Sequence, residues 1–122
     1  MGDRANFGFR DRKGDTVYLY GHWAGYNMLA NLAGAVQTAR PRWTDESYAT
    51  RICISQLIGN DWNHETGWGI TVNELADNEH KIPVIDWSKQ TFTLLEEDLQ
   101  TVVFSTDLTT FVNKYSSQPA MV

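Results

Sequence analysis

Two kinds of hydrophobic periodicity follow one another along this chain, and they do not alternate. Apolar residues recur at every second position over residues 5–10, and residues 16–23 are rich in β-forming residues, which predicts two strands joined by a turn. Helical spacing follows over residues 27–59, and strand-like stretches return from residue 68 onward. Strands and helices segregated in this way predict an α+β domain, in which helices pack on one face of a largely antiparallel sheet.

Capping residues and breakers place the helices between the two groups of strands. Asn27 is a suitable cap for a first helix, and Pro41 ends that helix because it cannot continue the backbone hydrogen bonds. Thr44 is followed by two acidic residues, which predicts the start of a second helix, and Gly59 predicts its end.

The C-terminal half predicts three strands and one more helix. The strands are expected at residues 68–72, 82–87 and 91–95, with a candidate short strand at 101–104. Ser105 or Thr106 is the expected cap of the last helix. The predicted order is therefore ββααβββ, an additional short strand and a helix. We expect a single domain over residues 1–115 and a flexible tail over 116–122.

Composition restricts the partners of such a domain. The formal net charge of -5 argues against binding to nucleic acid polymers or to anionic membranes, since both attract basic surfaces. No apolar stretch approaches the length of a membrane span. Cys53 is the single cysteine, so no internal disulfide can form, and a reducing cytoplasm is the expected location.

The most unusual composition is found where the second strand ends. Residues 18–26 contain Tyr18, Tyr20, His22 and Trp23 beside Gly21 and Gly25. Aromatic side chains with polar tips bind planar and polar ligands well, so this segment is the first candidate site. For His22 the interpretations are a ligand contact, a general base, or a structural histidine. Of the tryptophans, Trp87 is expected in the core, whereas those at element ends or in loops are expected on a binding surface: Trp23, Trp43, Trp62 and Trp68.

Two polar segments complete the candidate site. Near the N-terminus, Arg4 is expected to pair with a phosphate, and Asp3 and Asn6 to contact polar edges of a ligand. Residues 77–80 form a polar tetrad in which Asn78 and His80 are candidate contacts, although such tetrads also form turns bonded to their own backbone. The three histidines show no zinc-ligand spacing, so no metal site and no cofactor are predicted.

Four short motifs carry a resemblance over roughly the first 95 residues: Gly2-Asp3-Arg4-Ala5-Asn6, Val17-Tyr18-Leu19-Tyr20-x-His22-Trp23-x-Gly25, Glu65-Thr66-Gly67-x-Gly69-Ile70 and Asp77-Asn78-Glu79-His80. In this order they resemble a family of small uncharacterised proteins that occur in tailed bacteriophages and in bacterial genomes carrying prophages. A looser resemblance exists to small phage proteins with Tyr-x-His-Trp-Asp-Gly-Tyr, but here Ala24 stands where that carboxylate would be.

The predicted order of elements is also similar to a reduced form of the N-terminal nucleophile hydrolase fold. Those enzymes expose Ser, Thr or Cys as their first residue, whereas removal of Met1 would expose Gly2 here. The resemblance therefore implies a non-catalytic member. By analogy of context, small acidic phage proteins with aromatic pockets include sponges that capture nucleotide immune signals.

The leading hypothesis is a non-enzymatic protein that binds a nucleotide-like small molecule in the cytoplasm of an infected bacterial host. The alternative is a protein-binding module that inhibits a host protein or joins a phage assembly, with exposed tryptophans as interface anchors. An enzyme with His22 or the Gly2 amine as base ranks last, because no nucleophile partner is evident. The sequence is compatible with a homo-oligomer but does not determine the oligomeric state.

Overall fold

A computed structural model describes residues 2–116, which form six strands, three helices and two short 3₁₀ turns. The strands are β1 (Ala5–Arg10), β2 (Thr16–Gly21), β3 (Trp68–Val72), β4 (Ile82–Asp86), β5 (Thr91–Leu95) and β6 (Val102–Asp107). The helices are α1 (Met28–Thr38), α2 (Glu46–Ile58) and α3 (Leu108–Tyr115), and the 3₁₀ turns are Arg40–Arg42 and Gly59–Asp61.

All six strands form one sheet in the order β3-β2-β1-β4-β5-β6. Every neighbouring pair is antiparallel except β1 and β4, which run parallel. The prediction of an α+β fold with a largely antiparallel sheet is therefore confirmed. Pro83 is compatible with this inner position, because the parallel ladder to β1 begins one residue later at Val84.

The three helices contribute to one main core on a single face of the sheet. Phe7 and Phe9 of β1 and Ile85 of β4 lie in this core with buried residues of α1, α2 and α3. Phe92 of β5 stacks on Phe111 of α3, with ring centroids 4.0 Å apart. The alternation of apolar residues along β1 and β2 thus places one row of side chains under the helices.

The opposite face of the sheet carries a smaller buried cluster beneath two loops. Tyr18, Ile82, Val84 and Leu95 form it, and Leu75 and Leu99 pack against it from the loops. A side chain at Gly8 would come within 2.9 Å of the Tyr18 ring. Glycine at this position therefore makes room for the ring to lie on the sheet.

The ends of several elements differ from the prediction. The N-cap of α3 is Asp107, whose side chain accepts a hydrogen bond from Thr110 N–H at 2.7 Å, while Ser105 and Thr106 belong to β6. The N-cap of α2 is Asp45, one residue after Thr44. The additional strand is longer than expected, because pairing with β5 continues to Asp107.

The C-terminal tail prediction falls almost wholly outside the described residues, since only Ser116 of 116–122 is described. Ser116 N–H donates to the Val112 carbonyl at 2.9 Å, so this residue completes the end of α3. Within residues 2–116, no helix has the length and apolar character that crossing a membrane requires.

Candidate functional site

The chain turns sharply after β2, and residues 22–27 lead into α1. This turn is held by backbone hydrogen bonds on both sides. His22 N–H donates to the Gly67 carbonyl and Asp3 N–H donates to the His22 carbonyl, both at 2.8 Å. Gly25 N–H donates to the Asp3 carbonyl at 2.9 Å. The turn therefore has a defined backbone position, fixed by segments that are distant in sequence.

Gly25 is required by the closeness of its neighbours. A side chain at this position would overlap the His80 ring and the Asp3 carboxylate. Those two groups are themselves paired, with His80 Nε2 lying 2.5 Å from Asp3 Oδ1. Because Gly25 adds no bulk, the turn, the N-terminal segment and the 77–80 loop meet at one point.

Arg4 binds the 77–80 loop through both its backbone and its side chain. Its backbone N–H donates to Glu79 Oε1 at 2.8 Å, and its guanidinium contacts Glu79 Oε2 at 3.3 Å and Asp77 Oδ2 at 3.4 Å. The hydrogen bond with Glu79 raises the pKa of Arg4, and the Arg4 backbone N–H lowers the pKa of Glu79. A phosphate at Arg4 would have to compete with two carboxylates.

Asn6 is fully buried, and its amide binds the same loop. Its Nδ2 donates to the Asp77 carbonyl at 3.0 Å and to Asn78 Oδ1 at 3.1 Å, and its Oδ1 accepts from Ala76 N–H at 3.4 Å. Asn78 in turn donates to Glu97 Oε2 at 2.8 Å and to the His80 carbonyl. The N-terminal and 77–80 motifs therefore satisfy much of each other's hydrogen-bonding capacity.

The aromatic residues of the 18–26 segment separate into two groups. Tyr20 and His22 are joined by a hydrogen bond of 2.7 Å between the Tyr20 hydroxyl and His22 Nδ1, and Trp23 packs edge-on against His22 with ring centroids 4.3 Å apart. Tyr18 lies apart from them, 2% exposed, and its burial raises the pKa of its hydroxyl.

The structure thus brings eight of the nine predicted site residues to one end of the sheet, and Tyr18 is the exception. Those eight are Asp3, Arg4, Asn6, Tyr20, His22, Trp23, Asn78 and His80. The Glu65–Ile70 motif reaches the same end, because Gly67 bonds to His22 and Trp68 pairs with Gly21.

A groove of about 480 Å³ opens beside this meeting point, between the start of α1, the 79–81 loop and the end of β5; we call it the acidic groove. Its apolar lining comes from Met28, Leu29 and Leu94. Its carboxylates come from Glu79, Glu96 and Glu97. His80 and Lys81 also line it, and Lys81 Nζ lies 3.5 Å from Glu96 Oε1.

Sequence reasoning missed the carboxylates of this groove. Glu96 and Glu97 follow a predicted strand directly, and Glu79 belongs to the polar tetrad in which Asn78 and His80 are the predicted ligand contacts. The density of acidic residues in these two segments indicates an acidic surface. The sequence does not predict that they lie close to α1, because this depends on the order of strands in the sheet.

The tryptophans divide differently from the prediction. Trp43 is buried and its Nε1 donates to the Val36 carbonyl at 2.9 Å, and Trp68 packs against the main core. Trp23 and Trp62 are exposed, whereas Trp87 lies in the core as expected. An aromatic residue at an element end therefore belongs to the surface only where no neighbouring element covers it.

Other chemistry-bearing residues do not add to this site. Within residues 2–116, no group of three or more His, Cys, Asp or Glu side chains is arranged to hold a metal ion. Cys53 lies buried in the main core, and burial raises the pKa of its thiol.

Comparison of this chain with protein-family models, with curated proteins and with solved structures gives no match.

Proposed function

We propose that this chain is a binding protein whose acidic groove, together with Trp23 and Tyr26, holds a partner-protein segment with basic and apolar side chains. The main observation that supports this proposal is the exposure of two large aromatic side chains on a turn whose backbone is held by hydrogen bonds. Trp23 is 67% and Tyr26 78% exposed, and they flank Gly25, which lines the groove. Exposed aromatic residues of this kind are typical anchors of protein interfaces.

The turn that carries these residues is already in place before any partner arrives. Its backbone is bonded to Asp3 on one side and to Gly67 on the other. Because the anchors are presented by an ordered backbone, binding would cost less conformational entropy than it would on a free loop. This supports a role in recognition.

Charge favours a basic segment over an acidic one. Glu79, Glu96 and Glu97 line the groove beside Lys81, and the whole chain carries a formal net charge of -5. An arginine or lysine side chain would share these carboxylates with the donors that they already contact, while its neighbours contact Met28 and Leu29.

A nucleotide-like ligand is our second candidate, in the role of a phage-encoded sponge for a host immune signal. The observation that favours it is the Trp23 indole, which lies nearly perpendicular to the His22 ring and is largely open to solvent. A nucleobase can stack on such a ring. The phosphates would have to displace carboxylates from Arg4 or bind near Lys81.

Calorimetric titration separates the two candidates. One set of probes is an arginine- and leucine-containing peptide and its glutamate counterpart, and the other is a panel of cyclic and ADP-ribose-type nucleotides. We expect heat from the basic peptide, at least a tenfold weakening by Trp23→Ala, and weaker binding in Glu97→Gln and at higher salt. Trp62→Ala, at an exposed tryptophan outside the groove, is the matched control.

Each outcome has a defined meaning. Heat from a nucleotide alone would replace the first candidate by the second, and stronger binding of the glutamate peptide would reject the charge argument. A silent titration in both sets, together with a lysate pull-down that is the same for the original chain and for Trp23→Ala, would reject both candidates.

A further inference from the structure

Within residues 2–116 the sheet ends in two edge strands, β3 and β6, and β3 lacks the features that usually protect an edge strand. Monomeric proteins protect edge strands with charged side chains, proline or β-bulges, because unpaired backbone groups invite another strand. β3 reads Trp68-Gly69-Ile70-Thr71-Val72, with no charge and no proline, and it pairs with β2 over five consecutive residues without a register shift. At the other edge, β6 has a register shift opposite Leu94 and Leu95.

The apolar side chains of β3 extend the main core to the edge of the sheet. Trp68, Ile70 and Val72 share one face of the strand, and Trp68 packs against the main core. Beyond it, Ile70 is 56% and Val72 59% exposed. The helix-covered face therefore ends in an uncovered apolar strip along β3.

We propose that β3 is the interface of a homodimer, in which it pairs antiparallel with β3 of a second copy about a two-fold axis at Ile70. In this register Ile70 lies opposite its own counterpart, and Val72 lies opposite Trp68, all on the helix side. Thr71 lies opposite Gly69 on the other side. Apolar residues thus meet apolar residues across the axis.

The charges flanking β3 are compatible with this pairing. Continued beyond the strand, the register places Glu74 opposite Thr66 and Asn73 opposite Gly67, so no two like charges lie directly opposite each other. Self-pairing of one edge also closes after two copies. Pairing of β3 with β6 would continue indefinitely and would have to accommodate the register shift in β6.

Such a dimer joins two six-stranded sheets into one and leaves the acidic groove uncovered by the pairing itself. The proposal is independent of the proposed binding function, because Ile70 and Val72 do not line the groove. A dimer variant that becomes monomeric is therefore expected to keep its affinity for any groove ligand.

Sedimentation equilibrium over a range of protein concentrations tests the proposal. We expect the full chain to sediment at twice its mass of 13.9 kDa. Ile70→Lys and Ile70→Glu are each expected to be monomeric, because each places like charges together at the axis. Mixing the two variants should restore a dimer, since lysine then faces glutamate. Val103→Lys, at a 44% exposed position on the opposite edge, is the control and should stay dimeric.

Circular dichroism of each variant establishes that the sheet is intact. A monomeric original chain at every concentration would overturn the proposal, as would a dimer that survives Ile70→Lys or dissociates in Val103→Lys. Failure of the mixed variants to associate would overturn the position of the axis. If an Ile70 variant unfolds, amide hydrogen exchange of β3 in the original chain is measured at several protein concentrations. A β3 exchange rate that does not fall as the protein concentration rises would reject the interface.

Discussion

Asn6 lies on β1 with no exposed surface, and its amide group connects this strand to the 76–78 loop. The sequence presented it as a polar residue near a candidate ligand site. In the folded chain its donors and acceptor have partners within the protein. A ligand role for Asn6 would therefore require it to exchange those partners, whereas a structural role follows from the contacts as they stand.

Replacement of Asn6 by alanine should therefore lower stability. The Asp77 carbonyl and Asn78 side chain would lose donors, and each lost hydrogen bond costs about 0.5–1.5 kcal/mol. Urea unfolding measures the change. Asn31→Ala, at an exposed position on α1, should stay within about 0.5 kcal/mol of the original chain. Equal stabilities of the two variants would show that Asn6 does not hold the loop.

Gly25 allows a second residue-scale prediction. In Gly25→Ala the new methyl group overlaps the paired Asp3 and His80 side chains, so overpacking should cost about 1–3 kcal/mol. Gly34→Ala is the matched control, because it replaces a helical glycine and its new methyl group meets no atom within 4 Å apart from its neighbours in the same helix. It should stabilise α1 by about 0.5–1 kcal/mol. Thermal unfolding should therefore move in opposite directions for the two changes.

The pH dependence of stability should reveal the Arg4–Glu79 contact. The Arg4 backbone N–H, and then its side chain, lower the pKa of Glu79 in the folded chain. The contact therefore stabilises the fold above the unfolded-state pKa of about 4.3, and this contribution is lost as the pH falls through the lower folded pKa. The difference in thermal midpoint between the original chain and Glu79→Gln should be largest near neutral pH and shrink in acid. A pH-independent difference for Glu79→Gln would contradict the assignment.

At the scale of elements, the boundary between β6 and α3 shows where local patterns are insufficient. Ser105 and Thr106 are acceptable helix caps, yet both lie in β6 because pairing with β5 extends to Asp107. Ser105 accordingly bonds across the sheet to Thr93 at 3.0 Å. The cap moves to the first residue at which the strand ends.

Substitution of the observed cap should consequently destabilise α3 more than substitution of the expected one. The Asp107 side chain accepts from Thr110 N–H, and this hydrogen bond lowers the pKa of Asp107. Asp107→Ala should lower the thermal midpoint at neutral pH, and the effect should fade in acid as the carboxylate is protonated. Thr106→Ala should have the smaller effect at neutral pH. A reversed order would place the helix start earlier than the structure does.

At the scale of the whole molecule, β1 and β4 occupy the middle of the sheet although more than 70 residues separate their starts. Their parallel pairing is what brings the N-terminal segment beside the 77–80 loop. The helices then pack on one face of this pair, and β2 and β5 flank it in the sheet. The candidate site is thus a product of the central pairing, and its geometry depends on the stability of the sheet.

Amide hydrogen exchange should show this organisation directly. We expect the slowest exchange in β1 and β4 and faster exchange in β6, because edge strands open without unfolding the centre. In the monomeric Ile70→Lys variant, β3 should exchange as fast as β6. Uniform protection of all six strands in that variant would indicate that the sheet opens only as a unit.

The tryptophans and the polar motifs show which features of the candidate site can be predicted from the sequence. The four motifs meet at one end of the sheet, together with eight of the nine side chains predicted to contact a ligand. Trp43 and Trp68 were expected at the surface but pack inward, because their local patterns do not show which neighbours cover them. The acidic groove was missed for the same reason, since its lining comes from three separate parts of the chain.

By itself, the sequence determined the type and order of the elements, because hydrophobic period and turn chemistry act over a few residues. It also determined the acidic character of the chain. Only the tertiary structure decided which polar side chains satisfy one another, which aromatic residues stay exposed, and which strand becomes an unprotected edge. These outcomes depend on pairings between distant strands, such as β1 with β4, and local periodicity carries no information about such partners.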